Sequence, residues 1–63
     1  MTIPKCIEYR DDANCRIAFN TDNIVKIEES SDKATTFIYC TDGKWYIIRE
    51  TYDKVLNDYV SAK

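Results

Sequence analysis

The side chains that could ligate a metal or attack a substrate are three cysteines, Cys6, Cys15 and Cys40, and two adjacent carboxylate pairs, Asp11-Asp12 and Glu28-Glu29. A zinc site needs four thiolate or imidazole donors at close spacing, and this sequence has no histidine and no Cys-x-x-Cys. The cysteines therefore read as small buried hydrophobes in a reducing compartment, with a disulfide between two of them left open by their spacing. Without histidine no side chain offers an unperturbed base near neutral pH, which removes Ser-His and Cys-His nucleophilic sites. The carboxylate pairs do not form a dyad either. Neighbours on a strand point to opposite faces, and Asp11-Asp12 falls in a polar turn, so both pairs read as solvated charge. A phosphate loop is absent, since Gly43 is the single glycine. These readings predict no catalytic residue, no metal and no cofactor, and a chain that is not an enzyme.

What remains is binding chemistry, and it lies in the middle of the chain. Two phenylalanines, one tryptophan and five tyrosines are aromatic among 63 residues, and such rings are enriched at interface hot spots. Residues 35–48 read as two β-strands about the Asp42-Gly43 turn, the strongest short-range hairpin signal. A two-residue turn sets Cys40 opposite Trp45, Tyr39 opposite Tyr46, Ile38 opposite Ile47 and Phe37 opposite Ile48. Side chains alternate across a sheet, so one face would carry Phe37, Tyr39, Tyr46 and Ile48, and the other Ile38, Cys40, Trp45 and Ile47. Both faces are apolar, and both need cover. The candidate interaction residues are Ile38, Trp45 and Ile47, with Tyr39 and Tyr46.

The flanking segments must position that hairpin. Order is expected from Cys6, after a loose segment 1–5 in which Pro4 donates no hydrogen bond. Ile7 and Tyr9 alternate with Glu8 and Arg10, and after Asp11-Asp12-Ala13-Asn14 the residues Cys15, Ile17 and Phe19 return as a second strand. Asn20-Thr21-Asp22-Asn23 predicts a sharp corner with room for one helical turn. Ile24-Val25-Lys26-Ile27-Glu28 is β-branched and leads to a polar tip at residues 29–33. After Ile48 the period changes: Tyr52, Val55, Leu56, Tyr59 and Val60 form one stripe of a helix over residues 51–61, with Thr51 as N-cap. Leu56 is expected to be buried. The predicted class is α+β: a five-stranded antiparallel β-meander over residues 6–49, a strongly curved sheet or small barrel, followed by one C-terminal helix, all in a single domain 1–63.

One short helix covers one sheet face. The other is left for barrel closure or for a second subunit, which makes a homo-oligomer, a dimer or larger, the expected state. Nine basic residues against eleven acidic ones give a net charge of −2, without the basic face of a nucleic-acid binder. No apolar run has the length of a membrane span, and Met1-Thr2-Ile3-Pro4-Lys5 lacks the apolar core of a signal peptide, so the expected location is the cytoplasm.

Ile17-Ala18-Phe19-Asn20, Ile24, Ile27-Glu28-Glu29, Asp32, Thr35 or Thr36, Ile38, Asp42-Gly43-Lys44, Tyr46-Ile47-Ile48-Arg49-Glu50 and Val55 together resemble the small FlbD-type flagellar and swarming-motility proteins. The likeness spans residues 15–60. The longer N-terminal segment, Trp45 and the cysteines depart from the pattern. The resemblance implies a short cytoplasmic β-rich protein-interaction module and brings no catalytic residue with it. Two other functions fit the same residues. One is a single-stranded nucleic-acid binder in which Tyr39, Trp45 and Tyr46 stack bases while Lys44, Arg49 and Arg16 meet phosphates. The other is a viral or mobile-element accessory protein that binds a host protein.

Overall fold

Alternation of apolar and polar residues builds the first hairpin. In the computed structural model, which describes residues 5–62, β1 (Cys6–Arg10) pairs antiparallel with β2 (Arg16–Asn20). Ile7, Tyr9 and Phe19 turn inward while Glu8 and Arg10 stay wet. Asp11 organises the connecting turn, its Oδ1 accepting from the amides of Ala13 (3.0 Å) and Cys15 (2.9 Å), and Asn14 takes the left-handed conformation at φ 65°. Asn and Asp tolerate such geometry because their short side chains bond nearby backbone.

The polar corner is one turn of 3-10 helix, Thr21–Asn23, capped by Asn20, whose Oδ1 accepts from the Asp22 amide at 2.9 Å. It separates the strands into two sheets. β3 (Ile24–Glu29), β4 (Thr36–Cys40) and β5 (Trp45–Ile48) form the second, in the order β3-β4-β5. The expectation of one continuous meander is thus corrected: the corner consumes the residues that would carry β2 alongside β3. The two sheets meet instead at β1 and β5, through a bridge between Asp11 and Ile48 and a 3.0 Å bond from the Arg49 amide to the Arg10 carbonyl. The barrel alternative is corrected too, because β2 and β3 share no pairing and the ring stays open.

α1 (Tyr52–Ala62) packs on β1 and β3. Thr51 caps it as its sequence position suggests, its hydroxyl accepting from the Lys54 amide at 3.4 Å. The buried line of the helix differs from the predicted stripe. Val55 is fully buried and Tyr59 and Ala62 pack against the core, whereas Leu56 is 38% exposed and Val60 62%. Tyr9 of β1 is buried and its hydroxyl needs an acceptor. Asp58 supplies one, 2.7 Å from the hydroxyl to Oδ2, which fixes the Asp58 side of the helix against β1, while Leu56 lies beside the Ile24–Ile27 stretch of β3.

Each element sends at least one apolar side chain to the centre: Ile7 and Tyr9 from β1, Phe19 from β2, Ile24 from β3, Ile38 from β4, Ile48 from β5 and Val55 from α1. Thr36 is buried with them, and its hydroxyl donates to the Glu50 carbonyl at 2.8 Å, tying the start of β4 to the approach of the helix. The cysteines are free thiols. The expectation that they are buried is corrected for Cys6 and Cys15, which sit on exposed positions, while Cys40 is half-buried; a domain this small has few interior sites, and larger apolar side chains, Ile, Val, Phe and Tyr, take most of them. The predicted loose segment falls largely on residues outside those described.

Candidate interaction site

The β4–β5 loop decides which residues share a surface. The Cys40 amide donates to the Lys44 carbonyl (2.9 Å) and the Gly43 amide to the Cys40 carbonyl (3.0 Å), enclosing Thr41, Asp42 and Gly43. Gly43 sits at φ +84°, and of these three it alone has a positive φ. This is a three-residue loop ending in a left-handed glycine, not the two-residue turn that Asp-Gly suggests. Asp42 supports it by accepting from the Lys44 amide at 2.9 Å.

One extra loop residue moves the register by one. Tyr39 stands opposite Trp45, Ile38 opposite Tyr46, Phe37 opposite Ile47 and Thr36 opposite Ile48. The side chains of β5 therefore exchange faces relative to expectation. Ile38 and Tyr46 leave the proposed contact surface: Ile38 is fully buried, and Tyr46 packs edge-on against Phe19 with ring centroids 5.5 Å apart. Phe37, Tyr39, Trp45 and Ile47 share the outer face. Of the five candidate residues, then, the structure brings together Tyr39, Trp45 and Ile47, and adds Phe37.

On that face the rings form a cluster. Trp45 meets Phe37 edge-on at 5.8 Å and 84°, and lies 6.4 Å from Tyr39. Trp45 is 55% exposed. The neighbouring strand supplies a charged margin, since Lys26 pairs with Tyr39 and Glu28 with Phe37. Lys26 Nζ stands 5.1 Å above the Tyr39 ring and 3.5 Å from Glu28, which accepts from the Tyr39 hydroxyl at 3.0 Å. That bond, then burial and the Glu28 charge, raise the Tyr39 hydroxyl above the ordinary tyrosine value. An aromatic centre with a polar margin is the anatomy of a protein contact surface.

The stacking set of the nucleic-acid alternative is split. Tyr46 lies on the core side of the sheet from Tyr39 and Trp45, and Arg16 and Arg49 line a separate cleft beside Tyr9. Among the described residues no three Cys, Asp or Glu side chains group to hold a metal ion, and no helix is long and apolar enough to cross a membrane. Burial, with a smaller contribution from Asp42, pushes the Cys40 thiol up, which lowers its nucleophilicity at neutral pH.

No curated protein and no solved structure matches the chain at a significant level. The profile of the flagellar and swarming motility proteins matches residues 4–63, nearly the whole chain. Its coverage includes all five strands, the corner and the helix, and on that ground the chain belongs to the FlbD family of flagellar and swarming motility proteins.

Proposed function

We propose that this chain is a non-enzymatic, cytoplasmic protein-interaction module serving flagellar or swarming motility, and that it self-associates through the outer face of its three-stranded sheet. The observation that carries the reading is Trp45, a large ring more than half exposed at the centre of an aromatic cluster. Leaving such a ring in water forgoes about 2 kcal/mol of burial free energy, which an interface recovers. The margin carries one charge of each sign, Lys26 and Glu28, and a two-fold pairing of copies can set them against each other. Family membership supports the motility setting. The lack of a histidine and the raised Cys40 thiol support the absence of catalysis.

Light scattering during size-exclusion chromatography tests the reading. The expected result is an oligomer that dissociates on dilution and a Trp45→Lys variant that is monomeric with an unchanged circular dichroism spectrum. A wild-type monomer at high concentration would remove self-association. Loss of fold in the variant would place Trp45 among the residues that hold the sheet.

A further inference from the structure

An open cleft of about 530 Å³ runs between the first hairpin and the start of α1. Arg10, Arg16, Arg49 and Lys54 line it with Glu8 and Glu50, four cations against two carboxylates, in a chain whose net charge is negative. Arg10 and Arg16 are direct cross-strand partners. Like charges in that position destabilise a hairpin. The available remedy is not used, because Glu8 stands opposite Ala18 rather than opposite an arginine. Among the described residues the ion pairs are Lys26–Glu28 and Lys54–Asp58, so Arg10, Arg16 and Arg49 have no carboxylate partner there. The cleft is nevertheless held in shape. Arg10 Nη1 donates to the Asn14 carbonyl at 2.9 Å. Lys54 Nζ donates at 3.1 Å to the Asp58 oxygen that also accepts from buried Tyr9.

We propose that this cleft binds an acidic peptide segment of a partner protein, with side-chain carboxylates seated on Arg10, Arg16 and Arg49. A guanidinium presents a planar fork that matches a carboxylate with two parallel hydrogen bonds, and these forks retain unspent donors. Glu8 and Glu50 favour a peptide over a phosphate-rich ligand: they oppose dense negative charge but can accept from peptide amides. Nucleic acid is disfavoured further because the one ring in the lining, Tyr9, is buried and cannot stack a base. The assignment rests on the reading of the chain as an interaction module and gives it a second contact surface, chemically unlike the aromatic one.

The test is a titration of the ¹⁵N-labelled full chain with a capped hexaglutamate peptide at low salt, followed by NMR, with inorganic phosphate and a short oligothymidylate as comparison ligands. The expected result is saturable shifts confined to residues 8–10, 16, 49, 50 and 54, weakened by salt. Affinity should fall about tenfold in Arg16→Gln and again in Arg49→Gln. The dispersion of each variant's spectrum reports its folding, and either variant alone suffices if the other unfolds. Absence of shifts at millimolar peptide, shifts scattered over the surface, or full affinity in folded variants would overturn the proposal. Equal saturable binding of phosphate or oligonucleotide at these residues would overturn the peptide assignment in favour of a phosphoryl ligand. Repeating the titration on Trp45→Lys separates the two readings, since the cleft is expected to bind peptide whether or not the aromatic face self-associates.

Discussion

The two faces of the three-stranded sheet are built from similar residues and meet different fates. Inside, Ile38 and Ile48 join Ile7, Tyr9 and Phe19 of the first hairpin and Val55 of α1 in one buried cluster, with Thr36 buried as well. Outside, Phe37, Tyr39, Trp45 and Ile47 are no less apolar, and there Trp45 packs on Phe37 and Tyr39 with Lys26 above the Tyr39 ring, yet Trp45 stays more than half exposed. Hydrophobic composition therefore does not decide which face becomes core. The docking of the helix and the length of one loop decide it.

Adjacent isoleucines give the sharpest way to break that comparison. Ile48→Ala should cost about 2 to 5 kcal/mol, a large share of the stability of so small a domain, whereas Ile47→Ala should cost about 1 kcal/mol or less. Denaturant unfolding of both variants at one low protein concentration measures the difference. Equal costs would mean that the outer face is as closely packed as the inner one.

Next in size is the loop. Gly43→Ala should destabilise by about 1 to 2 kcal/mol, and Gly43→Asn by less. A Cβ at Gly43 would meet nothing within 4 Å, so the whole cost is conformational and arises from φ +84°. A neutral Gly43→Ala would show that the loop adopts another turn in solution and would reopen the assignment of faces.

The smallest effect compares two tyrosines that each donate to a carboxylate. Tyr9, inside, is raised well above the ordinary tyrosine value, first by burial, then by its bond to Asp58, then by the charges of Asp58 and Glu50. A raised folded-state value stabilises the neutral form. That contribution is complete below the unfolded value of about 10 and is lost as pH climbs through it towards the folded one. Tyr9→Phe should therefore cost about 1 kcal/mol near neutral pH and flatten the decline of melting temperature above pH about 10. Tyr39→Phe should leave both nearly unchanged, because Tyr39 is only half-buried and its acceptor Glu28 lies on the outer face of the sheet, where solvent screens the bond. Thermal melts across neutral and alkaline pH read both variants.

Most elements were legible in the sequence because they depend on local pattern. Alternation marked β1 and β2, the polar cluster Asn20-Thr21-Asp22-Asn23 marked the corner, and the change of period after Ile48 marked the helix and its Thr51 cap. What was hidden depended on single local choices or on distant partners. Asp42-Gly43 suits a two-residue turn and a three-residue loop equally well, since both place Gly43 at positive φ, and the backbone of Asp42 separates them. The buried line of α1 is set with a Tyr9–Asp58 bond that joins opposite ends of the chain. Among the cleft residues, Arg10 reads as an ordinary wet position, and Arg16 and Arg49 entered only as phosphate contacts of the nucleic-acid alternative, without Arg10. The symmetric placement of Arg10 and Arg16 about Ala13 was the available signal, because any hairpin centred there must set one against the other.

The three-residue loop has a consequence for how this sequence can vary. Hairpin tips ordinarily tolerate insertion and deletion. Here the parity of the loop selects inside from outside for all of β5. Deleting Thr41, or adding one residue beside it, would present Trp45 and Ile47 to the interior and turn Tyr46 and Ile48 to solvent, without changing a residue in either strand. Because both sets are apolar, the hydrophobic pattern raises little objection to the exchange; the misfit would be one of shape, an indole where the interior holds a smaller side chain. Loop length at this tip is therefore constrained as a core residue is constrained, and chains that share this fold and this pair of apolar faces are expected to vary Thr41 and Asp42 more freely than the number of residues between Cys40 and Lys44 or the left-handed Gly43.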